Sequence, residues 1–154
     1  MIRFESQGEE ETIEIAKKIA KHLKKSMTIL LQGDLGAGKT TFTKGLGEGL
    51  GIRRIIKSPS YTIVREYKDA SMPLYHVDLY RLEEEEVIDL ALDEYFDGDG
   101  VTVVEWPSVS REDLPKEVLE ITLERDNEDL NKRRIQIEAF GEVYEELLEN
   151  FKKE

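Results

Sequence analysis

The alternation of apolar and polar positions along the chain predicts a succession of strands and helices. Strands are indicated where apolar residues run together or alternate with polar ones, and helices where apolar residues recur every three or four positions. The predicted strands are IRFES, MTILLQ, SYTIVREY, LYHVDLYRL, VTVVEW, LEITLERD and RRIQIEAF. The predicted helices cover residues 9–25, 39–50 and 84–96 and a C-terminal segment with Val143, Tyr144, Leu147, Leu148 and Phe151 on one face.

The order of these elements predicts the fold class. A strand, a glycine-rich turn and a helix stand near the front, and mixed strands and helices follow. That order is typical of an α/β domain in which a mixed sheet lies between two layers of helices. The chain has 154 residues, of which 39% are hydrophobic and 36% are charged. Since no repeat or linker interrupts it, we expect residues 1–154 to form a single three-layer α/β domain.

Two of the predicted helices raise specific questions. In the helix over 39–50, three glycines at alternate positions, Gly45, Gly47 and Gly49, lower the helix propensity. They indicate either a close approach to a neighbouring element or an early end of the helix. In the helix over 84–96, the periodicity predicts five inward-facing side chains, namely Val87, Ile88, Ala91, Leu92 and Tyr95.

Charge and cysteine content limit the expected partners and compartment. The formal net charge is -12 at pH 7, and such a surface repels phosphate backbones, because non-specific nucleic-acid binding depends on lysine and arginine. If RNA belongs to the function, we expect a partner protein to hold it. The chain has no cysteine, which fits a reducing compartment, and no apolar stretch of the roughly 20 residues that span a bilayer. We therefore expect a cytoplasmic protein without membrane contact.

The segment after the second strand matches the phosphate-binding motif G-x-x-x-x-G-K-[ST] without a mismatch. Its residues are Gly33, Asp34, Leu35, Gly36, Ala37, Gly38, Lys39 and Thr40, and Thr41 follows. The glycines let successive N–H groups point at anionic oxygens, and the positive end of the following helix adds to their effect. Lys39 then supplies charge for the β- and γ-phosphates, Thr40 a hydroxyl ligand for Mg²⁺, and Thr41 a further phosphate contact. Because a strand precedes the motif and a helix follows it, a nucleoside triphosphate site is predicted rather than an ordinary glycine-rich turn.

Two acidic residues are candidates for the carboxylate that holds a metal or orders water during cleavage. Such a group usually lies at the carboxyl end of a neighbouring strand. Glu105 ends the run VTVVE, and Asp78 lies within LYHVDLYR, where a charge requires a partner or a cation. The alternative for Glu105 is an ordinary strand-end carboxylate, and the alternative for Asp78 is an ion pair with Arg81.

Three further side chains near these acids could take part in the site. His76 alternates with Asp78 along a strand, so both point to the same face, and His76 is either a working residue or a packed, hydrogen-bonded one. Arg81 either reaches a phosphate or neutralises Asp78. Trp106 follows Glu105 and either stacks on a base or a partner or packs in the core.

The segment SPSYT, between the motif and the third strand, is a candidate switch loop. It consists of Ser58, Pro59, Ser60, Tyr61 and Thr62. Two serine hydroxyls, a proline and a threonine before a strand suit a loop that senses the γ-phosphate. The alternative is a turn that simply leads into the strand.

Several classes of nucleotide-binding protein have to be separated. A GTPase is not supported, because the only candidate for its N-K-x-D motif, NKRR at 131–134, lacks the aspartate. A small-molecule kinase is less favoured, because the arginines form no dense cluster of the kind found in a lid. A nucleotide-dependent binding module, in which hydrolysis is incidental, remains an alternative.

Four segments together resemble one family. GDLGAGKTT, SPSYT, YHVDLYRL and VEWP occur in this order between residues 12 and 107 and look like the TsaE family, the small bacterial P-loop ATPases of the tRNA threonylcarbamoyladenosine machinery. The resemblance implies a P-loop NTPase-like fold, hydrolysis of ATP with Mg²⁺, and action with the complex that transfers the threonylcarbamoyl group to an adenosine next to the anticodon. The net charge of -12 agrees with this resemblance, since such a protein is expected to contact tRNA only through that complex.

The resemblance also implies roles for individual residues. Lys39 and Thr40 take their P-loop roles, with Thr40 on Mg²⁺. Glu105 is a metal ligand or water-ordering carboxylate, and Asp78 is a catalytic or metal-linked acid. The family tends to have threonine where this chain has Ser60, which keeps the hydroxyl and lacks the methyl group.

For the adenine, the resemblance implies a contact from Thr12 in the first helix. Arg133 or Arg134, in the predicted hairpin, is expected to approach the adenine as well.

Overall fold

A seven-stranded mixed sheet forms the centre of the computed structural model, which describes residues 1–59 and 61–154. The strands are β1 (Ile2–Ser6), β2 (Thr28–Gln32), β3 (Val64–Tyr67), β4 (Leu74–Asp78), β5 (Val101–Glu105), β6 (Val118–Arg125) and β7 (Arg133–Phe140). The helices are α1 (Glu9–Ala20), α2 (Lys39–Leu50), α3 (Glu84–Ile88), α4 (Asp93–Phe96) and α5 (Glu142–Lys152). Two short 3-10 helices, Pro107–Val109 and Arg111–Asp113, follow β5.

The order and direction of the strands bring the chemically important chain segments to one edge of the sheet. The order is β1-β7-β6-β2-β5-β4-β3. Strands β6, β2, β5 and β4 are parallel, whereas β3 and β7 run antiparallel to their neighbours. The carboxyl ends of β2, β5 and β4 therefore lie side by side, which is where ligands bind in open α/β sheets.

Helices cover both faces of the sheet, as the three-layer prediction requires. On one face, side chains of α1, α2 and α5 pack with Ile29 and Leu31 of β2. On the other face, Leu30 packs with Val87 of α3 and Phe96 of α4. Consecutive residues of β2 thus enter opposite cores, which explains why that strand is a continuous apolar run. Within the described ranges, no helix combines the length and the apolar composition that crossing a bilayer requires.

The glycines of α2 allow close packing against α1. The helix extends to Leu50, as predicted, and does not end early. A Cβ atom at Gly45 would lie 2.6 Å from the Ala16 Cβ atom, and one at Gly49 would lie 2.5 Å from the Ala20 Cβ atom. Small residues on both helices therefore let the two backbones approach, and of the two predicted readings close packing is correct.

The prediction of one helix over residues 84–96 is wrong. The chain forms two short helices, α3 and α4, and between them Ala91 has a φ of 52°. The break lets Val87 and Leu92 both enter the core, although they are five positions apart and would not share one face of a regular helix. Ile88, predicted to face inward, is 67% exposed, and Ala91 is also exposed.

Other predicted elements are longer than the observed ones. Helix α1 ends at Ala20 rather than at residue 25. The third strand begins at Val64, because the N–H groups of Thr62 and Ile63 both donate to the Pro59 carbonyl oxygen and form a turn. Strand β4 ends at residue 78, where the next turn begins.

Candidate active site

The phosphate-binding motif forms the turn between β2 and α2. Gly36 and Gly38 have φ angles of 81° and 104°, in the left-handed region where a residue without a Cβ atom is favoured. The Ala37 N–H donates to the Asp34 carbonyl oxygen at 3.0 Å, which tightens the turn. Gly38 is the N-cap of α2, so the free N–H groups and the positive dipole end of that helix face the bend of the turn.

A cavity of about 400 Å³ lies over this turn. Most of its lining residues come from the segments that the sequence singles out: Thr12, Leu35, Gly36, Gly38, Lys39, Thr40, Thr41, Ser58, Asp78, Glu105, Trp106 and Arg133. Gly33, Asp34 and Ala37 of the motif line a neighbouring cavity on the other side of the turn.

Lys39 lines the cavity and is only 6% exposed. Its Nζ atom has no hydrogen-bond partner among the described residues. It lies 3.9 Å from the centroid of the Trp106 ring and 4.0 Å from Glu105 Oε1. Burial lowers the pKa of Lys39, and the charges of Glu105, Asp78 and Asp34 oppose that effect. A buried ammonium group without a hydrogen-bond acceptor is costly unless an anion is supplied to it.

The two candidate carboxylates are neighbours, since Asp78 and Glu105 are register partners at the ends of the parallel strands β4 and β5. Each is 3% exposed and lines the cavity. Asp78 Oδ1 accepts a hydrogen bond from the Tyr80 N–H at 2.9 Å. Glu105 Oε2 lies 2.5 Å from His76 Nε2. The sequence predicts the positions of both acids correctly, because parallel strands end at the same edge.

His76 and Arg81 lie in different environments. His76 is completely buried, and its hydrogen-bond partner is Glu105. Arg81 is exposed, and its guanidinium carbon lies 4.4 Å from the ring centroid of Tyr61.

Trp106 covers the part of the cavity next to Lys39. Its φ of 58° turns the chain sharply after Glu105. The indole ring lies over the Lys39 ammonium group, and its centroid is 4.8 Å from that of the Tyr80 ring, which is 48% exposed. Trp106 is therefore a half-buried residue of the cavity wall and is not packed in the core.

The candidate switch loop reaches the cavity through Ser58, which lines it. Tyr61 is 85% exposed, and Thr62 belongs to the turn described above. Ile63, at the end of the loop, has a φ of 69°, an unusual conformation for a β-branched residue. Ser60 lies outside the described residues.

Two of the residues expected near the adenine, Thr12 and Arg133, line the cavity. Thr12 is 2% exposed, and its hydroxyl group shares a hydrogen bond of 2.7 Å with the Ser6 hydroxyl group. Arg133 donates from Nη2 to the Gly36 carbonyl oxygen at 3.3 Å, which fixes it against the phosphate-binding turn. Arg134 does not reach this cavity, because it points to the other face of the hairpin, where it pairs with Glu124 and Asp126.

Two lining residues were not anticipated from the sequence, Glu9 and Asn131. Glu9 lies three positions before Thr12 in α1, so both side chains lie on the same face of the helix. The helical period of the sequence could therefore have indicated Glu9. Asn131 belongs to the loop between β6 and β7, where the sequence has no periodic pattern that would indicate which way a side chain points.

Three oxygen-bearing side chains that line the cavity could hold a magnesium ion, those of Thr40, Asp78 and Glu105. Across residues 1–59 and 61–154, no group of three or more His, Cys, Asp or Glu side chains could hold a metal by itself. This donor set fits Mg²⁺, which is usually bound by one or two carboxylates, waters and substrate phosphates and seldom by an all-protein cage.

Comparisons with known proteins find one family. The family model described as "Threonylcarbamoyl adenosine biosynthesis protein TsaE" matches residues 6–135. A Bacillus subtilis (strain 168) protein named tRNA threonylcarbamoyladenosine biosynthesis protein TsaE is 49% identical over 152 residues, which are 99% of this chain and 94% of that protein. An Aquifex aeolicus (strain VF5) protein of the same name is 39% identical over 133 residues, 85% of this chain and 91% of that protein.

A solved structure agrees with these sequence relatives. The crystal structure of Bacillus subtilis YdiB superimposes with a TM-score of 0.87 at 45% sequence identity and covers 99% of this chain and 94% of that chain. The similarity therefore extends over the sheet, the helices and the cavity together.

Proposed function

This chain belongs to the TsaE family of threonylcarbamoyl adenosine biosynthesis proteins, and on that premise we propose that it is a magnesium-dependent ATPase. The observation that carries the proposal is the Lys39 ammonium group, buried at the start of α2 without a hydrogen-bond acceptor among the described residues. A triphosphate tail supplies the acceptors that this group lacks. The bend of the turn adds N–H groups of the kind that bind phosphate in other P-loop proteins.

The residues around Lys39 support hydrolysis as well as binding. Asp78 and Glu105 are buried at adjacent strand ends in the wall of the same cavity. The chemistry that a magnesium ion would supply here is neutralisation of the charge that develops during phosphoryl transfer. Thr40 and Asp78 would hold the ion, and Glu105 would either share in holding it or orient the attacking water. Trp106 would exclude bulk water from the part of the cavity next to Lys39.

The names of the relatives supply the biological setting that we propose for this chain. They are tRNA threonylcarbamoyladenosine biosynthesis proteins. We propose that ATP turnover here serves the complex that transfers the threonylcarbamoyl group to an adenosine next to the tRNA anticodon. A net charge of -12 makes direct retention of tRNA unfavourable, so the partner complex would hold the RNA.

Phosphate release from Mg·ATP by the parent and by Glu105→Gln tests the ATPase proposal. The substitution preserves shape but removes the charge that holds a metal or orders water, so we expect turnover to fall by about 100-fold or more, with the nucleotide still bound. Glu138→Gln, in β7 and away from the cavity, is the control and should retain full turnover. Equal turnover in Glu105→Gln and the parent would refute the assigned role of this acid.

Capture of the purified threonylcarbamoyl-transfer complex, with and without ATP, tests the partner. We expect nucleotide-dependent capture by the parent and none by Lys39→Ala. Capture that does not depend on ATP or on Lys39 would contradict nucleotide-dependent action within the assembly. The nucleotide-dependent binding module predicts instead that a Glu105 variant without turnover keeps its partner function.

A further inference from the structure

His76 has no assigned role in binding or turnover, yet its environment is unusual. The side chain is fully buried in β4, and its Nδ1 atom has no hydrogen-bond partner among the described residues. Its other ring nitrogen, Nε2, lies 2.5 Å from Glu105 Oε2. The ring is thus oriented by a single carboxylate, and an Nε2–H donor leaves only a lone pair unsatisfied at Nδ1.

The two oxygens of Glu105 face different partners. Oε2 accepts from His76, and Oε1 lies 4.0 Å from Lys39 Nζ. At that separation the carboxylate and the ammonium group attract each other but form no hydrogen bond. Lys39 therefore keeps its donors for another acceptor, although an acid is next to it.

Removing the His76 donor would change this arrangement. Glu105 is 3% exposed, and a buried carboxylate that loses a hydrogen bond has to find another donor. The Lys39 ammonium group lies within ion-pairing distance of it. A small rotation of Glu105 toward Lys39 would make a direct ion pair. The Lys39 ammonium group would then be less available to bind the phosphates of a nucleotide.

We propose that His76 is a positioning residue that holds Glu105 away from Lys39 and so keeps the ammonium group available to the nucleotide. This proposal rests on the proposed function, since it concerns the same phosphate site. It predicts that His76 affects nucleotide affinity, and not only the geometry of Glu105 during turnover. It also predicts that this effect disappears when residue 105 carries no charge.

The first test measures the dissociation constant of Mg·ADP, which binds without being hydrolysed. His76→Phe should weaken binding by about ten-fold or more, the factor that corresponds to a lost hydrogen bond to a charged group. His76→Gln, whose amide N–H group can reach Glu105, should restore most of the affinity. His22→Phe is the matched control, because it makes the same change at the other histidine, which lies in the turn after α1 and outside the cavity.

The second test is a double-mutant cycle. If His76 acts through the charge of Glu105, then adding His76→Phe to Glu105→Gln should change the Mg·ADP affinity by less than about two-fold. A purely structural defect at His76 would persist in that background. Should His76→Phe fail to fold, His76→Asn replaces it, because its shorter amide does not extend to the Nε2 position.

The outcomes separate this inference from the proposed function. If the parent binds no Mg·ADP and hydrolyses no Mg·ATP, the proposed function fails. If the parent does both, equal affinity of His76→Phe and His22→Phe would overturn the inference. A loss of affinity that is the same with glutamate and with glutamine at position 105 would overturn it as well.

Discussion

Tyr75 is a single side chain whose hydroxyl group ties β4 to the turn before β5. The hydroxyl group donates to Asp99 Oδ1 at 2.7 Å. Burial, and then the hydrogen bond to Asp99, raises the pKa of Tyr75 to about 12. The folded protein therefore resists ionisation of Tyr75 at a pH where an unfolded chain, with a tyrosine pKa of about 10, would already lose the proton.

The sign of the resulting pH dependence follows from this difference. The contribution of Tyr75 to stability is present below pH about 10 and is lost as the pH rises toward about 12. In Tyr75→Phe, the free energy of unfolding in urea should fall less between pH about 9 and about 11 than in the parent. The exposed Tyr61→Phe is the control, and equal pH slopes in Tyr75→Phe and the parent would contradict the prediction.

At single positions, the sequence predicts the location of a side chain where a motif or a strand end determines it. It does not predict a contact that forms only when distant parts of the chain fold together. Lys39, Asp78 and Glu105 lie together as predicted, because strand ends and a turn define their places. The position of Trp106 over Lys39 depends on a left-handed backbone at a residue that rarely adopts one, and no periodicity indicates that.

Among the elements, the contact between α1 and α2 gives the sharpest prediction. At Gly45 a methyl group would lie 2.7 Å from the Ile13 carbonyl oxygen, a backbone atom that cannot move alone. At Gly47 the nearest atom, 2.2 Å away, is the Ile56 Cδ1 atom at the end of a flexible side chain. The two sites thus differ in whether the nearest atom can move aside for the added methyl group.

Alanine at each position gains about 1 kcal/mol of helix propensity over glycine. At Gly45 we expect overpacking to outweigh that gain and lower the free energy of unfolding by about 1–3 kcal/mol. Gly47→Ala, the matched comparison, should lie closer to the parent. Urea unfolding measures both variants, and a Gly45→Ala protein as stable as Gly47→Ala would contradict this account of the helix contact.

Element boundaries were predictable where local signals agree and not where tertiary contacts override them. Helix α2 begins and ends as predicted, because Gly38 and Gly51 cap it. The helix over 84–96 divides, because burying Val87 and Leu92 together requires a break that the period of a single helix does not contain.

For the whole molecule, the class of fold was predictable, but the order of the strands was not. Strand β1, at Ile2–Ser6, pairs with β7, at Arg133–Phe140. Periodicity reports only on neighbours in sequence, so it cannot show which distant strands become adjacent. That pairing matters for the site, since it brings the start of α1 beside the β6–β7 loop, and residues of both segments line the cavity.

The assembled molecule places one buried lysine at the meeting point of a helix start and two strand ends, in a protein whose net charge is -12. Such a protein repels polyanions in general, so the triphosphate affinity that we propose has to come from this site. Calorimetric titration of Mg·ATP into the parent and Lys39→Ala tests that claim most directly.

The exposed Lys44→Ala, on the same helix, removes the same charge outside the cavity and serves as the control. The account predicts saturable heat for the parent and for Lys44→Ala, and an affinity lower by about ten- to 100-fold for Lys39→Ala. No heat from the parent, or equal affinities in all three proteins, would contradict it.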